Sequence, residues 1–331
     1  MSKLIISLSP HANGGDSVER NMYNVLIALV PALLVSFYYF GLGSVVVCSV
    51  SVAACVFFEW AITRYMLRRP TTLLDGSACV TGLLLGMNLP SNFPIWMIIV
   101  GALVAIGIGK MTFGGLGCNP FNPAIVGRCF LLVSFPAAMT SWPVTGQQMA
   151  YTDAVTGATP LSLMKTAIKT GDVSVLQGLP DTVDMLLGNV ANGYGAGTIG
   201  EVCALALIAG LIWMLWRRVI TWHIPVTILA TVFVLSGALH AANPVYAHPM
   251  AVVLSGGLML GAIFMATDYV TSPMTHRGQV IYAVGIGVLT VVIRNWGSYP
   301  EGMSFAILIM NAFTPLINFY VKPKRFGEVS R

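Results

Sequence analysis

The sequence predicts an all-α integral membrane protein of about ten transmembrane helices, arranged as two inverted five-helix halves. Three observations carry the prediction. Of 331 residues, 56% are apolar and only 9% are charged, where a soluble chain carries about 25% charged residues. The apolar residues fall in blocks close to the length of about 20 that a hydrocarbon core of about 30 Å demands. One long polar segment, 140–198, interrupts these blocks after the fifth, so the second set of five begins on the opposite side from the first. This composition, with a mean hydropathy of +0.80, excludes a soluble enzyme, a disordered chain and a coiled coil. The net charge of +5 comes from basic residues scattered between apolar blocks, so it carries no signal of nucleic-acid binding.

In chain order the expected spans are 22–40, 44–66, 73–90, 94–110, 121–139, 199–216, 221–241, 249–267, 279–295 and 303–321. The first twenty residues hold Asp16, Glu19 and Arg20 without an apolar core and do not read as a signal peptide. Glu59, near the inner end of the second span, is expected to pair locally with Arg64. The third and eighth spans carry polar breaks, at Leu-Asp75-Gly76-Ser77 and at Ser255-Gly256-Gly257 followed by Thr267-Asp268. Broken membrane helices free backbone polar groups, which are tolerated only beside a cavity or a partner. Gly76 lines up with Gly256, Asn88 with Asp268 and Gly107 with Gly287 at one constant offset, the faint trace of a repeat. Asn119-Pro-Phe-Asn122-Pro123 opens the fifth span as a helix entry, with Asn as cap and Pro in the first turn. Arg294 and Trp296, ending the ninth span, read as interfacial anchors.

The domain reading is therefore an N-terminal half over 1–139, a loop over 140–198 and a C-terminal half over 199–331. With the N-terminus inside, Lys3, Arg20, Arg64, Arg68, Arg69, Lys110, Arg128, Arg217, Arg218, Arg277, Lys322, Lys324, Arg325 and Arg331 fall on the cytoplasmic side. Of the 17 basic residues, only Lys165, Lys169 and Arg294 fall outside. That bias predicts cytoplasmic termini and a loop on the outer face. The six cysteines form no CxxC pair and could not alone hold an iron–sulfur cluster. His223, His240, His248 and His276 lack metal-ligand spacing, and no metal site is expected. Without a dinucleotide-type glycine signature, the chain is not expected to bind NAD itself.

Within the loop stands Asp153-Ala-Val-Thr156-Gly157-Ala158-Thr159-Pro160-Leu161. From residue types alone this is a turn: Gly157 permits an unusual backbone angle and Pro160 stops regular pairing. The Thr159 hydroxyl is expected to be exposed. The spacing Asp-x-x-Thr-Gly-Ala-Thr matches the signal by which a flavin transferase attaches flavin mononucleotide (FMN) to the last threonine through a phosphoester. Asp153 could help hold the metal–flavin donor, and the small Gly157-Ala158 lets another protein close over the acceptor. A passive channel or transporter, the competing reading for inverted halves with broken helices, has no use for such a motif.

With this motif, the ten spans, Gly117-Cys-Asn119-Pro-Phe-Asn122-Pro123-Ala and Phe264-Met-Ala-Thr267-Asp268, the chain resembles the RnfD family, membrane components of Rnf complexes, along essentially its whole length. It is similar also to the NqrB component of the sodium-translocating NADH:quinone reductase. The resemblance implies a bacterial inner-membrane component of an ion-translocating oxidoreductase. In such a complex, electrons pass between ferredoxin and NAD, coupled to Na+ or H+ transport. It implies covalent FMN on Thr159. It also implies that Asn119, Asn122 and Asp268 border a non-covalent riboflavin and the ion-uptake region, with Asp75 a further acidic candidate. Its expected partners are the other Rnf subunits, including a second flavin-carrying subunit and iron–sulfur subunits, with a flavin transferase during maturation.

Overall fold

The computed structural model describes residues 17–69, 73–188, 195, 197–299 and 301–323. Lys3, Asp16, Lys324, Arg325 and Arg331, used in the signal-peptide and charge-bias arguments, lie outside the described residues. The protein is helical, and each expected span finds helix at its place. Helix α1 (Val18–Phe40) starts at Ser17, whose hydroxyl accepts from the Arg20 amide at 3.2 Å, and α2 (Leu42–Ala61) runs on through a π turn at Ile62–Met66. Helix α3 (Ser77–Met87) is short. Helix α4 (Ile95–Leu103) also ends in a π turn, Val104–Ile108. Helix α5 (Pro123–Ser134) stops at Phe135, and the single turn α6 (Pro136–Met139) follows it.

The loop segment folds on itself. It contains α7 (Pro160–Thr170) and α8 (Thr182–Leu187), each closed by a left-handed glycine, Gly171 and Gly188. The second half holds α9 (Ala204–Trp216), α10 (His223–Ala242), the fragments α11 (Pro249–Leu254) and α12 (Leu258–Leu260), a π turn at Gly261–Met265, α13 (His276–Trp296) and α14 (Met303–Tyr320). Among the described residues, six helices are long and apolar enough to cross a membrane. They begin at Val18, Leu42, Ile95, His223, His276 and Met303. The third, fifth, sixth and eighth expected spans are shorter or broken.

Both polar breaks are real. Gly76 (φ +75°) and Gly256 (φ +67°), partners at the constant offset, turn the chain through the same left-handed region, which Cβ-bearing residues avoid. Asp75 has a structural task at the first break. Its carboxylate accepts from the Ser77 amide at 2.8 Å and the Ser77 hydroxyl at 2.6 Å, fixing the turn that leads into α3. Helix α1 packs on α9, and α5 on α14.

Packing of α2 on α3 depends on small residues, as in many membrane helix pairs. A Cβ on Gly82 would lie 2.6 Å from the Val52 Cα, and one on Gly86 would lie 3.1 Å from the Cys48 Cα. The close approach lets the Ser51 hydroxyl donate to the Gly82 carbonyl at 2.7 Å. Gly82→Val is therefore expected to destabilise the protein by at least about 1–3 kcal/mol, the cost of overpacking. Thermal unfolding in detergent should show a lower midpoint. An unchanged midpoint would mean that the helices part without cost.

Candidate functional sites

Two cavities lie at opposite ends of the helices. The first is at the end where α1 begins, called here the terminal end. It is an open cavity of about 760 Å³ between α1, α3, α5, α9 and the segment after the eighth-span π turn. Asn119, Asn122 and Asp268 all line it, so the structure brings these sequence-separated candidates together. Val25, Leu84, Phe264 and Tyr269 give it apolar walls. Asn21, Thr267 and Lys110 add polar groups. This mix suits a flat, mostly apolar ligand with a few polar edges.

Asn122 caps α5 as expected. Its amide oxygen accepts from Ala124 at 3.0 Å and Ile125 at 3.4 Å, and its NH2 donates to the Met265 carbonyl at 3.1 Å. The same side chain thus ties the start of α5 to the end of the eighth-span π turn. Asn119 donates to the Phe121 carbonyl at 3.0 Å and faces Asp268. Asp268 accepts from the Thr271 hydroxyl at 3.3 Å, which closes the turn after the eighth span.

Beside this cavity the charges are arranged otherwise than expected. Glu59 does not pair with Arg64, which is exposed. It accepts from Lys110 at 2.6 Å, with both side chains almost fully buried, and Lys110 also donates to the Ser77 hydroxyl at 2.7 Å. The reason is geometric. Lys110 follows the π turn that ends the fourth span, which aims its ammonium inward at α2 and α3. Lys110 therefore reports nothing about sidedness, and neither does Arg128. Arg128, buried in the middle of α5, donates to the Asn88 amide oxygen and to Glu301. Arg294 is not an interfacial anchor either. It is 5% exposed and donates to the carbonyls of Val252 (2.7 Å) and Ser255 (2.9 Å), the loose end of α11. Arg20, Arg64, Arg68, Arg69, Arg217, Arg218, Arg277 and Lys322 remain exposed.

The second cavity, of about 560 Å³, opens at the other end, among Trp142, Thr159, Leu161, Ser255, Glu201 and Glu301. Here the motif is placed, and one expectation fails. Thr159 is only 6% exposed, because it is the N-cap of α7: its hydroxyl accepts from the Ser162 amide at 3.2 Å. The residues before it are clamped. Gly157 donates to the Trp142 carbonyl at 2.9 Å, Gly195 donates to the Ala158 carbonyl at 3.0 Å, and Gln147 brackets Val155 through both its amide atoms. Asp153, Thr156 and Ala158 stay exposed and Gly157 is half-buried. Asp153 and Thr159 are thus not joined in one site with Asn119, Asn122 and Asp268.

A buried polar line connects the two ends. Asn122 reaches Met265, and the Asn88 NH2 donates to the Met265 sulfur at 3.4 Å and to the Leu84 carbonyl at 2.6 Å. The Asn88 oxygen meets Arg128, and Arg128 meets Glu301 at the second cavity. Arg128, Glu201 and Glu301 escaped the sequence reading. For Arg128 and Glu201 the usable signal was a charge standing inside an expected span, which marks function by default; Glu301 lies between two spans and carries no such signal.

These features define a multi-pass membrane protein whose interior, more than its surface, carries its polar chemistry. Its relatives agree: residues 5–327 match the NQR2, RnfD, RnfE family, and the chain belongs to it. Three similar proteins are each named as the D component of an ion-translocating oxidoreductase complex. That of the Na(+)-translocating ferredoxin:NAD(+) oxidoreductase complex of Acetobacterium woodii is 45% identical over 324 residues, covering 98% of this chain and 95% of that one. That of the proton-translocating ferredoxin:NAD(+) oxidoreductase complex of Clostridium ljungdahlii is 40% identical, covering 97% and 96% of the two chains. That of the ion-translocating oxidoreductase complex of Stutzerimonas stutzeri is 38% identical, covering 96% and 94%.

Glu59→Gln leaves a buried ammonium unpaired and is expected to cost about 3–5 kcal/mol. Glu59→Gln with Lys110→Met should recover most of that loss in the same unfolding assay. A double variant as unstable as the single one would show that the pair itself is not what the fold depends on.

Proposed function

We propose that this chain is the membrane-embedded, flavin-carrying subunit of an ion-translocating oxidoreductase complex that passes electrons between ferredoxin and NAD. FMN is held covalently on Thr159 and a second, non-covalent flavin, riboflavin, occupies the terminal-end cavity. The observation that carries the reading is the placement of Asp153–Thr159: the acceptor threonine borders a cavity and caps a helix. A phosphoester on an N-cap hydroxyl stands at the positive end of α7, where free amides of the first turn favour an anion. In the terminal-end cavity, Leu84, Phe264 and Tyr269 supply apolar faces, and Asn119 with Thr267 supplies hydrogen bonds to the flavin's edge. The flavins, when bound, supply the one- and two-electron chemistry. The residues of this chain fix the flavins' positions and exclude water from them.

Burial of Thr159 sets an order of events: the transferase must meet the 155–159 stretch before it is clamped, or during a local opening. The partners in this reading are the other subunits of an Rnf complex, one with its own flavin and others with iron–sulfur centres. The setting is the bacterial inner membrane, with both termini cytoplasmic and 140–198 periplasmic. The relatives carry Na+ in one name and protons in another, so the cargo is a monovalent cation.

Peptide mass analysis of the chain, made in cells that contain the transferase, is expected to show one FMN less water on the Thr159 peptide. Thr159→Val should abolish the adduct and electron transfer together. Electron transfer that persists without the adduct would overturn this role for the loop. At the other end, Asn119→Ala is expected to lower the non-covalent riboflavin of the purified complex severalfold with little loss of stability. Asn122→Ala should add a helix-capping loss of about 1 kcal/mol. Riboflavin content unchanged in both would clear this cavity.

A further inference from the structure

The second cavity holds an arrangement that the flavin reading does not use. Glu201 lies just before α9 and Glu301 just before α14. Both reach the break at Gly256-Gly257. A Cβ on Gly257 would lie 2.7 Å from Oε1 of Glu301, 3.1 Å from Oε1 of Glu201 and 3.3 Å from Nη1 of Arg128. The two carboxylate oxygens therefore converge on one small space, which only glycine leaves open. Neither oxygen has a hydrogen-bond partner among the described residues, and neither is in contact with bulk water. Glu301 as a whole is 9% exposed.

The surrounding groups do not repair this. Arg128 donates to Glu301, but its other Nη goes to Asn88. Arg294, behind Gly256, gives both Nη to Val252 and Ser255, its Nε and that of Arg128 stay without a partner and reach neither Oε1, and Lys165 gives its ammonium to the Gly297 carbonyl at 2.6 Å. The second oxygen of Glu201 accepts from the Thr198 amide at 3.3 Å, and among the described residues no cation pairs with Glu201. Two buried acceptors without a donor, both on carboxylates that repel each other, are costly. A cation between them removes both costs: a proton turns one oxygen into a donor to the other, and a sodium ion bridges the two.

We propose that Glu201 and Glu301 form a site for one exchangeable monovalent cation, a proton or a sodium ion, at the loop end of the protein. The site stands on these side chains alone. Its use as a station for the translocated ion rests on the function proposed above. The buried line Asn122–Met265–Asn88–Arg128–Glu301 runs between it and the terminal-end cavity, and exchange runs through the cavity that Thr159 borders.

Labelling of the purified complex with dicyclohexylcarbodiimide, followed by peptide mass analysis, tests the site. The reagent adds to a protonated buried carboxyl and leaves an acylurea one reagent heavier. An adduct is expected on the Glu201 or Glu301 peptide. Its yield should fall by up to about tenfold per pH unit on the alkaline side, as the protonated fraction falls. Glu201→Gln keeps the bond to Thr198 and breaks no ion pair, so it should fold normally, lose any adduct at position 201 and, with the repelling carboxylate gone, lower the labelling of Glu301. Protection by sodium chloride but not choline chloride identifies sodium as an occupant, and equal labelling in both salts identifies the proton. Absence of an adduct on both peptides, or a yield indifferent to pH and to sodium alike, would overturn the proposal. Ion transport in proteoliposomes separates the two levels. Glu201→Gln that loses pH-dependent labelling yet transports ions at the normal rate leaves the cation site standing and removes its role in translocation.

Discussion

The structure depends on one buried guanidinium. Arg128 stands in the middle of α5, 2% exposed, surrounded by apolar helices. A charge there is tolerated only with partners, and each of its partners constrains a different part of the chain. Asn88 must end α3 within reach, and Glu301 must come in just before α14. The eighth span must break at Gly256-Gly257 to leave room for Glu301 and the arginine. The short third helix and the broken eighth are therefore consequences of one requirement. A continuous eighth helix would occupy the space that the charge and its partners fill.

The same logic operates at the other end with the sign of the charge reversed in sequence. Lys110 is carried inward by a π turn, and Glu59 on α2 and Ser77 at the first break receive it. Each break thus sits beside a buried ion pair, and each ion pair sits beside a cavity. Irregular backbone in a membrane needs partners for its freed amides and carbonyls. Here Asp75 supplies them at Gly76, and Arg294 supplies them at the end of α11. Polar groups placed for structural satisfaction thereby line the spaces where ligands and ions can be held.

Much of this was legible in the residues. The blocks of apolar sequence located a helix at each expected place, because burial of a hydrogen-bonded backbone in hydrocarbon leaves few other choices. The two breaks were visible because glycine, serine and aspartate have no reason to interrupt an apolar span otherwise. The cap at Asn122 was visible because Asn followed by Pro is a local signature, complete within three residues.

What the sequence determined by itself was therefore what local chemistry sets: the class of protein, the places of the helices, and their caps and breaks. Tertiary structure alone decided which charge meets which. Glu59 chose Lys110 over the nearby Arg64 because helix faces, not sequence distance, govern contact in a bundle. Arg128, Arg294 and Lys110 looked like cations that mark a membrane boundary, and only their inward direction shows otherwise. Thr159 looked exposed in a polar loop, and only the folding of that loop onto α7 buries it. Glu201 and Glu301 lie far apart in the chain and meet only because a broken helix leaves a glycine-sized gap between them, and a gap has no sequence of its own.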